Sequence, residues 1–202
     1  MRTNRLEAFS DGVLAIAITL LILEISVPHA RGDDLLHALA RQWPSYAAYV
    51  VSFLTIGIMW VNHHALFDHV HTVDRGLLFV NLFLLMVIAF IPFPTALLAE
   101  YLRNSDGGRV AGVIYCLTYL VVGVGFVSLW GYLRRHPELR RPELTDDGIA
   151  RAVRRSWRGP FAYLVAALVA LLSPYAALAV CGAVAIYFVW PTRPEARDQA
   201  MS

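Results

Sequence analysis

The chain has 202 residues, 58% of them hydrophobic and 16% charged, with a mean hydropathy of +0.56. Soluble domains carry nearer half apolar and a quarter charged residues, so this composition excludes an ordinary soluble domain and specifies an integral membrane protein. A formal net charge of +2 leaves no basic excess for nucleic acid.

The first apolar stretch, Arg5 to Val27, is long enough to cross a bilayer, since about 20 apolar residues at 1.5 Å rise span the hydrocarbon core. Asn4 and Glu7 form a capping pair at its start, and Asp11 interrupts the early run, so the segment reads as a retained helix and not as a signal peptide. Ile16, Thr19 and Leu23 fall at i, i+3 and i+7 and share one stripe. By spacing alone that stripe is either a helix-packing face or the lining of something. Pro28 to Trp43 is a polar connector whose charges, Arg31, Asp33, Asp34 and Arg41, cancel. The second span, Pro44 to His64, ends in Trp60, Asn62, His63 and His64, as interfacial aromatics do. After a turn-like segment, Asp68 to Gly76, the third span runs from Leu77 to Ala99 and is expected to kink at Pro92 and Pro94.

The fourth span, Arg109 to Leu133, opens on the close-packing spacing Gly108-x-x-x-Gly112. The Arg-rich segment Arg134 to Arg158 follows, and Ile149 to Trp157 has the pattern of an interfacial amphipathic helix. Gly159 to Trp190 carries no charge; it is too long for one ordinary span and short for two, and Ser173-Pro174 divides it into a hairpin of two short helices. The expected architecture is therefore all-α, a single domain over 1–202 with six spans at about 5–27, 44–64, 77–99, 109–133, 159–173 and 175–190. The chain has no lysine, so arginine sets the orientation. Arg2, Arg5, Arg75, the eight arginines of 134–158, Arg193 and Arg197 outweigh Arg31, Arg41, Arg103 and Arg109, which predicts both termini to be cytoplasmic. No internal repeat is visible, so any pore axis must come from association of several copies. Cys116 and Cys181 lie in apolar runs and read as unpaired buried thiols.

Arg5-Leu6-Glu7-Ala8-Phe9-Ser10-Asp11 resembles the R-x-x-x-F-S-D signature of the TMEM175 family of potassium channels. Trp60-Val61-Asn62-His63-His64, Asn81 and Phe90-Ile91-Pro92-Phe93-Pro94-Thr95 agree with the family pattern in order, over roughly the first half of the chain. The second half is similar mainly in hydropathy. The resemblance implies a homotetrameric, potassium-permeable channel in the bilayer of a bacterial plasma membrane, with the first helix of each subunit around the axis. It implies that Ile16 forms the pore constriction, with Thr19 and Leu23 one and two turns beyond. It also implies a polar cluster bracing that helix, drawn from Arg5, Phe9, Ser10, Asp11, Trp60, Asn62, His63 and His64. A hydrophobic ring restricts ions sterically and by dewetting, without a carbonyl filter, and no T-V-G-Y-G loop occurs here. No cofactor is expected beyond the permeant K⁺, and the chain is not read as an enzyme.

Arg5 and Asp11, six residues apart, face different sides of a helix, so each is expected to find partners on other helices, Trp60, Asn62, His63 and His64 being the candidates. His64, Asp68 and His71 have metal-ligand spacing if their helix continues, but hydrogen-bonding or solvated interfacial groups explain them as well, and no metal is expected. A membrane metalloprotein using this cluster, or a proton-coupled transporter using Asp11 and the histidines, are the alternatives.

Overall fold

Helices form every extended element in the computed structural model, which describes residues 3–28 and 34–189. Arg2, Arg31, Asp33, Trp190, Arg193, Arg197 and both chain ends, which enter the reading of topology, lie outside the described residues. Helix α1 (Thr3–Leu20) tightens into a 3-10 turn at Leu21–Glu24. It buries Leu6, Ser10, Leu14, Ala17 and Leu21, a stripe at three- and four-residue spacing, against α3 (Trp43–Phe67) and α4 (Arg75–Phe90). The connector before α3 holds a short helix, α2 (Leu35–Arg41), that the alternating charges there did not suggest. Pro44 sits in the first turn of α3, where the missing N–H has no helical partner to lose.

The third span breaks where its prolines fall. Helix α4 ends at Phe90 and α5 (Pro92–Tyr101) begins at Pro92. Across the break the Ile91 N–H reaches the Ile88 carbonyl at 3.0 Å, and the Thr95 hydroxyl donates to the Ile91 carbonyl at 2.9 Å. The Ile88 carbonyl, which Pro92 would strand inside a membrane, is thus satisfied locally. Helix α6 (Ser105–Arg135) has 31 residues. At 1.5 Å each it measures about 46 Å, well beyond a hydrocarbon core of about 30 Å. Gly112, of the expected close-packing pair, acts so, a Cβ there lying 3.2 Å from the Ala170 Cβ, and Gly123, outside that pair, does the same, a Cβ there lying 2.9 Å from the Pro160 ring. Both positions let α8 (Arg158–Ala170) lie directly on the α6 backbone.

Helix α7 (Asp146–Ser156) occupies the segment read as an amphipathic helix. Ile149 is buried and Val153 is packed on the core, which seats α7 against α6 instead of leaving its apolar side for lipid. Helix α8 follows after Trp157 alone, and α9 (Pro174–Val189) begins at Pro174, so the charge-free run is divided where expected. Among the described residues, four segments are long and apolar enough to cross a membrane, Thr3–Glu24, Trp43–Phe67, Arg75–Tyr101 and Asp106–Arg135. Helices α8 and α9, of 13 and 16 residues, fall below the usual length.

Polar ties fix the bundle at two depths. In its middle the buried Ser52 hydroxyl meets Thr95 Oγ1 at 2.9 Å and the Tyr115 hydroxyl at 3.0 Å, joining α3, α5 and α6. Cys116 and Cys181 are free and buried, with their Sγ atoms 3.8 Å apart. At one end, Val70 and Arg140 form an antiparallel bridge, with the His71 N–H on the Leu139 carbonyl at 2.8 Å and the Arg141 N–H on the His69 carbonyl at 2.9 Å. The Asp74 carboxylate caps α4 by accepting from the Leu77 N–H at 2.8 Å and also accepts from the Tyr132 hydroxyl of α6 at 2.7 Å. Desolvation alone would raise its pKa, but these two hydrogen bonds hold the carboxyl below its ordinary value. With Thr3 Oγ1 donating to the His71 carbonyl at 3.4 Å and Arg140 to Asp146 Oδ1 at 2.9 Å, the start of α1, the end of α3, the start of α4, the end of α6 and α7 are gathered on one side of the bundle.

Candidate functional site: the first helix and its polar support

Behind α1 lies a chain of three buried polar side chains, Ser10, Asn81 and His63, each at most 1% exposed. The Asn81 Nδ2 donates to Ser10 Oγ at 3.0 Å, and the Asn81 Oδ1 lies 2.9 Å from His63 Nε2. With the amide so placed, His63 must carry its proton on Nε2 to donate. The His63 ring also stacks on Phe67, with centroids 4.5 Å apart. One asparagine on α4 therefore ties α1 to α3 through two buried hydrogen bonds.

Asp11 is next in sequence to Ser10 but 100° around the helix, and it reaches a different partner: Trp60 Nε1 donates to Asp11 Oδ1 at 3.0 Å in an exposed position. The Trp60 ring stacks on His64, with centroids 6.3 Å apart. Of the four residues on α3 expected to receive Arg5 and Asp11, Trp60 and His63 are engaged with α1 or its support. Asn62 and His64 are exposed, because one step either side of inward-facing His63 turns a helical side chain out. Arg5 does not find the expected partner among the described residues. It is exposed in a groove with Phe9, Arg75 and Phe79, and Phe9 is half exposed. Helix α3 ends at Phe67, so His64, Asp68 and His71 do not share a continuing helical face. His64 Nε2 and Asp68 Oδ2 are 3.9 Å apart, while the His71 backbone N–H donates to the Leu139 carbonyl and its side chain is exposed.

The opposite side of α1 is bare. Ile16 is 60% and Leu23 72% exposed, and Thr19 is exposed between them. The Thr19 hydroxyl lies 2.9 Å from both the Ala15 and the Ile16 carbonyls, so its donor is spent on the helix itself. The stripe presents a nearly apolar surface, and it sits on a helix whose other face is locked by the Ser10–Asn81–His63 chain. Asn81 was visible in the sequence as a polar residue inside an apolar span, which by default seeks a partner. What local sequence pattern does not encode is its bridging of two helices that lie 71 and 18 residues earlier in the chain.

These features define an all-helical, multi-pass membrane protein in which a buried polar clamp orients the first helix. A family profile described as the endosomal/lysosomal potassium channel TMEM175 matches residues 5–92. A potassium channel of Streptomyces collinus is 52% identical over 188 residues, covering 92% of this chain and 91% of that one. A potassium channel of Chamaesiphon minutus is 43% identical over 190 residues, covering 92% of this chain and 93% of that one. The crystal structure of a lysosomal potassium-selective channel TMEM175 homolog from Chamaesiphon minutus aligns with a TM-score of 0.81 at 41% identity, over 93% of this chain and 96% of that one. The chain belongs to the TMEM175 family.

Proposed function

We propose that this protein is a passive, potassium-permeable channel formed by four identical subunits around the α1 helices, with Ile16 at the constriction and Thr19 and Leu23 beyond it. The observation that carries this reading is the apolar stripe left bare on a helix whose opposite face is anchored by buried hydrogen bonds, in a family whose bacterial relatives are named potassium channels. Four branched aliphatic side chains converging on an axis make a dry ring. An ion crossing it gives up hydration with no ligand in return, so side-chain size and polarity set the barrier. The Ser10–Asn81–His63 chain holds the ring's helix in rotation, and the Asp11–Trp60 pair supports it on the other flank.

In this reading α8 and α9 complete six spans, both termini are cytoplasmic, the protein resides in the cell membrane, and K⁺ passes without a cofactor. A reporter fused after Ser202 should read cytoplasmic; an external reading refutes the six-span topology. For the pore, reversal potentials under K⁺/Na⁺ gradients are measured on protein reconstituted in liposomes. Ile16→Asn should raise conductance and weaken discrimination between the ions, with a smaller effect for Leu23→Asn. Ile18→Asn, which alters a side chain packed on the core, should lower protein recovery and leave selectivity as in the wild type. Equal effects at positions 16 and 18, or none at either, would overturn the assignment.

A further inference from the structure

Helices α7 and α8 lie end to end along α6, separated only by Trp157. Along their outer side one stripe runs through both at three- and four-residue spacing: Arg151, Arg154, Arg158, Phe161, Val165 and Leu168, all exposed. It is charged above Arg158 and apolar below. The ten helical steps from Arg158 to Leu168 cover about 15 Å, the hydrocarbon depth of one leaflet. Among the described residues the only arginine ion pairs are Arg41 with Asp34 and Arg140 with Asp146, so the arginines of this stripe have no acidic partner. The two acids of α7, Asp146 and Asp147, stand in its first turn, at the end remote from Trp157, and Asp146 is taken by Arg140. Trp157 is half exposed beside the stripe, where an indole marks a membrane interface.

We propose that this stripe is a docking site for one anionic phospholipid, its phosphate held by Arg154 and Arg158 and an acyl chain laid along Phe161, Val165 and Leu168. Charge complementarity selects the lipid: a zwitterionic headgroup brings its own cation to the guanidiniums, whereas an anionic one brings uncompensated negative charge to cations that lack any. Guanidinium is suited to phosphate because it donates two parallel hydrogen bonds. The site is distinct from the bare face of α1, since α8 packs on α6 and α9 while α1 packs on α3, α4 and α5.

The test uses the intact protein in vesicles of phosphatidylcholine or of phosphatidylcholine with phosphatidylglycerol, one lipid at a time carrying brominated acyl chains that quench tryptophan. The Trp157 signal is the difference between wild type and Trp157→Phe. Brominated phosphatidylglycerol should quench Trp157 at a lower mole fraction than brominated phosphatidylcholine, and the preference should fall about fivefold per arginine in Arg154→Gln and Arg158→Gln. Arg134→Gln and Arg135→Gln, exposed at the end of α6, should leave it unchanged. Equal quenching by the two lipids in the wild type overturns the proposal without need of any variant. So does an equal loss in the Arg134 and Arg135 variants, which means diffuse surface charge. Loss of the oligomer in the stripe variants in either lipid also overturns it, because the stripe is then a contact with a second copy.

Discussion

Replacing Asn81 with leucine, which has nearly the same volume, removes the amide and leaves the packing space filled. The change breaks both hydrogen bonds of the clamp and strands a buried His63 ring nitrogen and the Ser10 hydroxyl. Stranded polar groups cost about 1–3 kcal/mol each, while single hydrogen bonds between membrane helices have measured at about 0.6–1.7 kcal/mol. Taking the lower scale for two bonds and the upper for two stranded groups brackets the loss at about 1–6 kcal/mol, centred near 3, which is about a hundredfold in the folded population. Denaturant unfolding of the detergent-solubilised protein, followed by tryptophan fluorescence, measures it. Ser10→Ala breaks one bond and spares the Asn81–His63 pair, so it should cost about half as much. Because Ser10 acts only through Asn81, the double variant Ser10→Ala/Asn81→Leu should cost little more than Asn81→Leu alone. Wild-type stability for Asn81→Leu, or full additivity in the double variant, refutes the clamp as the element that orients α1.

Gly123→Ala should destabilise the protein by about 1–3 kcal/mol, because its new methyl meets the rigid Pro160 ring at 2.9 Å and α8 must move away from α6. Gly131→Ala on the same helix meets nothing within 4 Å and should stabilise it by up to about 1 kcal/mol; thermal melts of the two variants side by side check both. Asp74→Ala should cost about 0.5–2 kcal/mol through loss of the α4 cap, seen in the same melts. Since the folded-state pKa of Asp74 is depressed below 3.8, its contribution is complete above that pH and is lost as the pH falls through the folded value. The difference between wild type and Asp74→Ala should therefore be constant from neutral pH to about pH 5 and shrink only in stronger acid. A difference that disappears near neutrality refutes that account.

The sequence by itself determined the membrane class, the helical content, the break at Pro92 and the division at Ser173-Pro174. Each of these depends on composition or on local backbone chemistry: uncharged length, a missing N–H, a ring that crowds the residue before it. The stripe of Ile16, Thr19 and Leu23 was legible for the same reason, since side chains three and four apart share a face whatever surrounds them. Only the tertiary structure decided what that stripe meets, because the packing of Leu6, Ser10, Leu14 and Ala17 fixes the rotation of α1 and leaves the stripe bare. It also sorted the polar residues that proximity in sequence had grouped together. His63 was drawn inward to Asn81, Asp11 went to Trp60, and Arg5, Asn62 and His64 were left outside. Helical rotation sends adjacent residues 100° apart, and which direction is the interior depends on helices α3 and α4, whose placement no local pattern in α1 encodes.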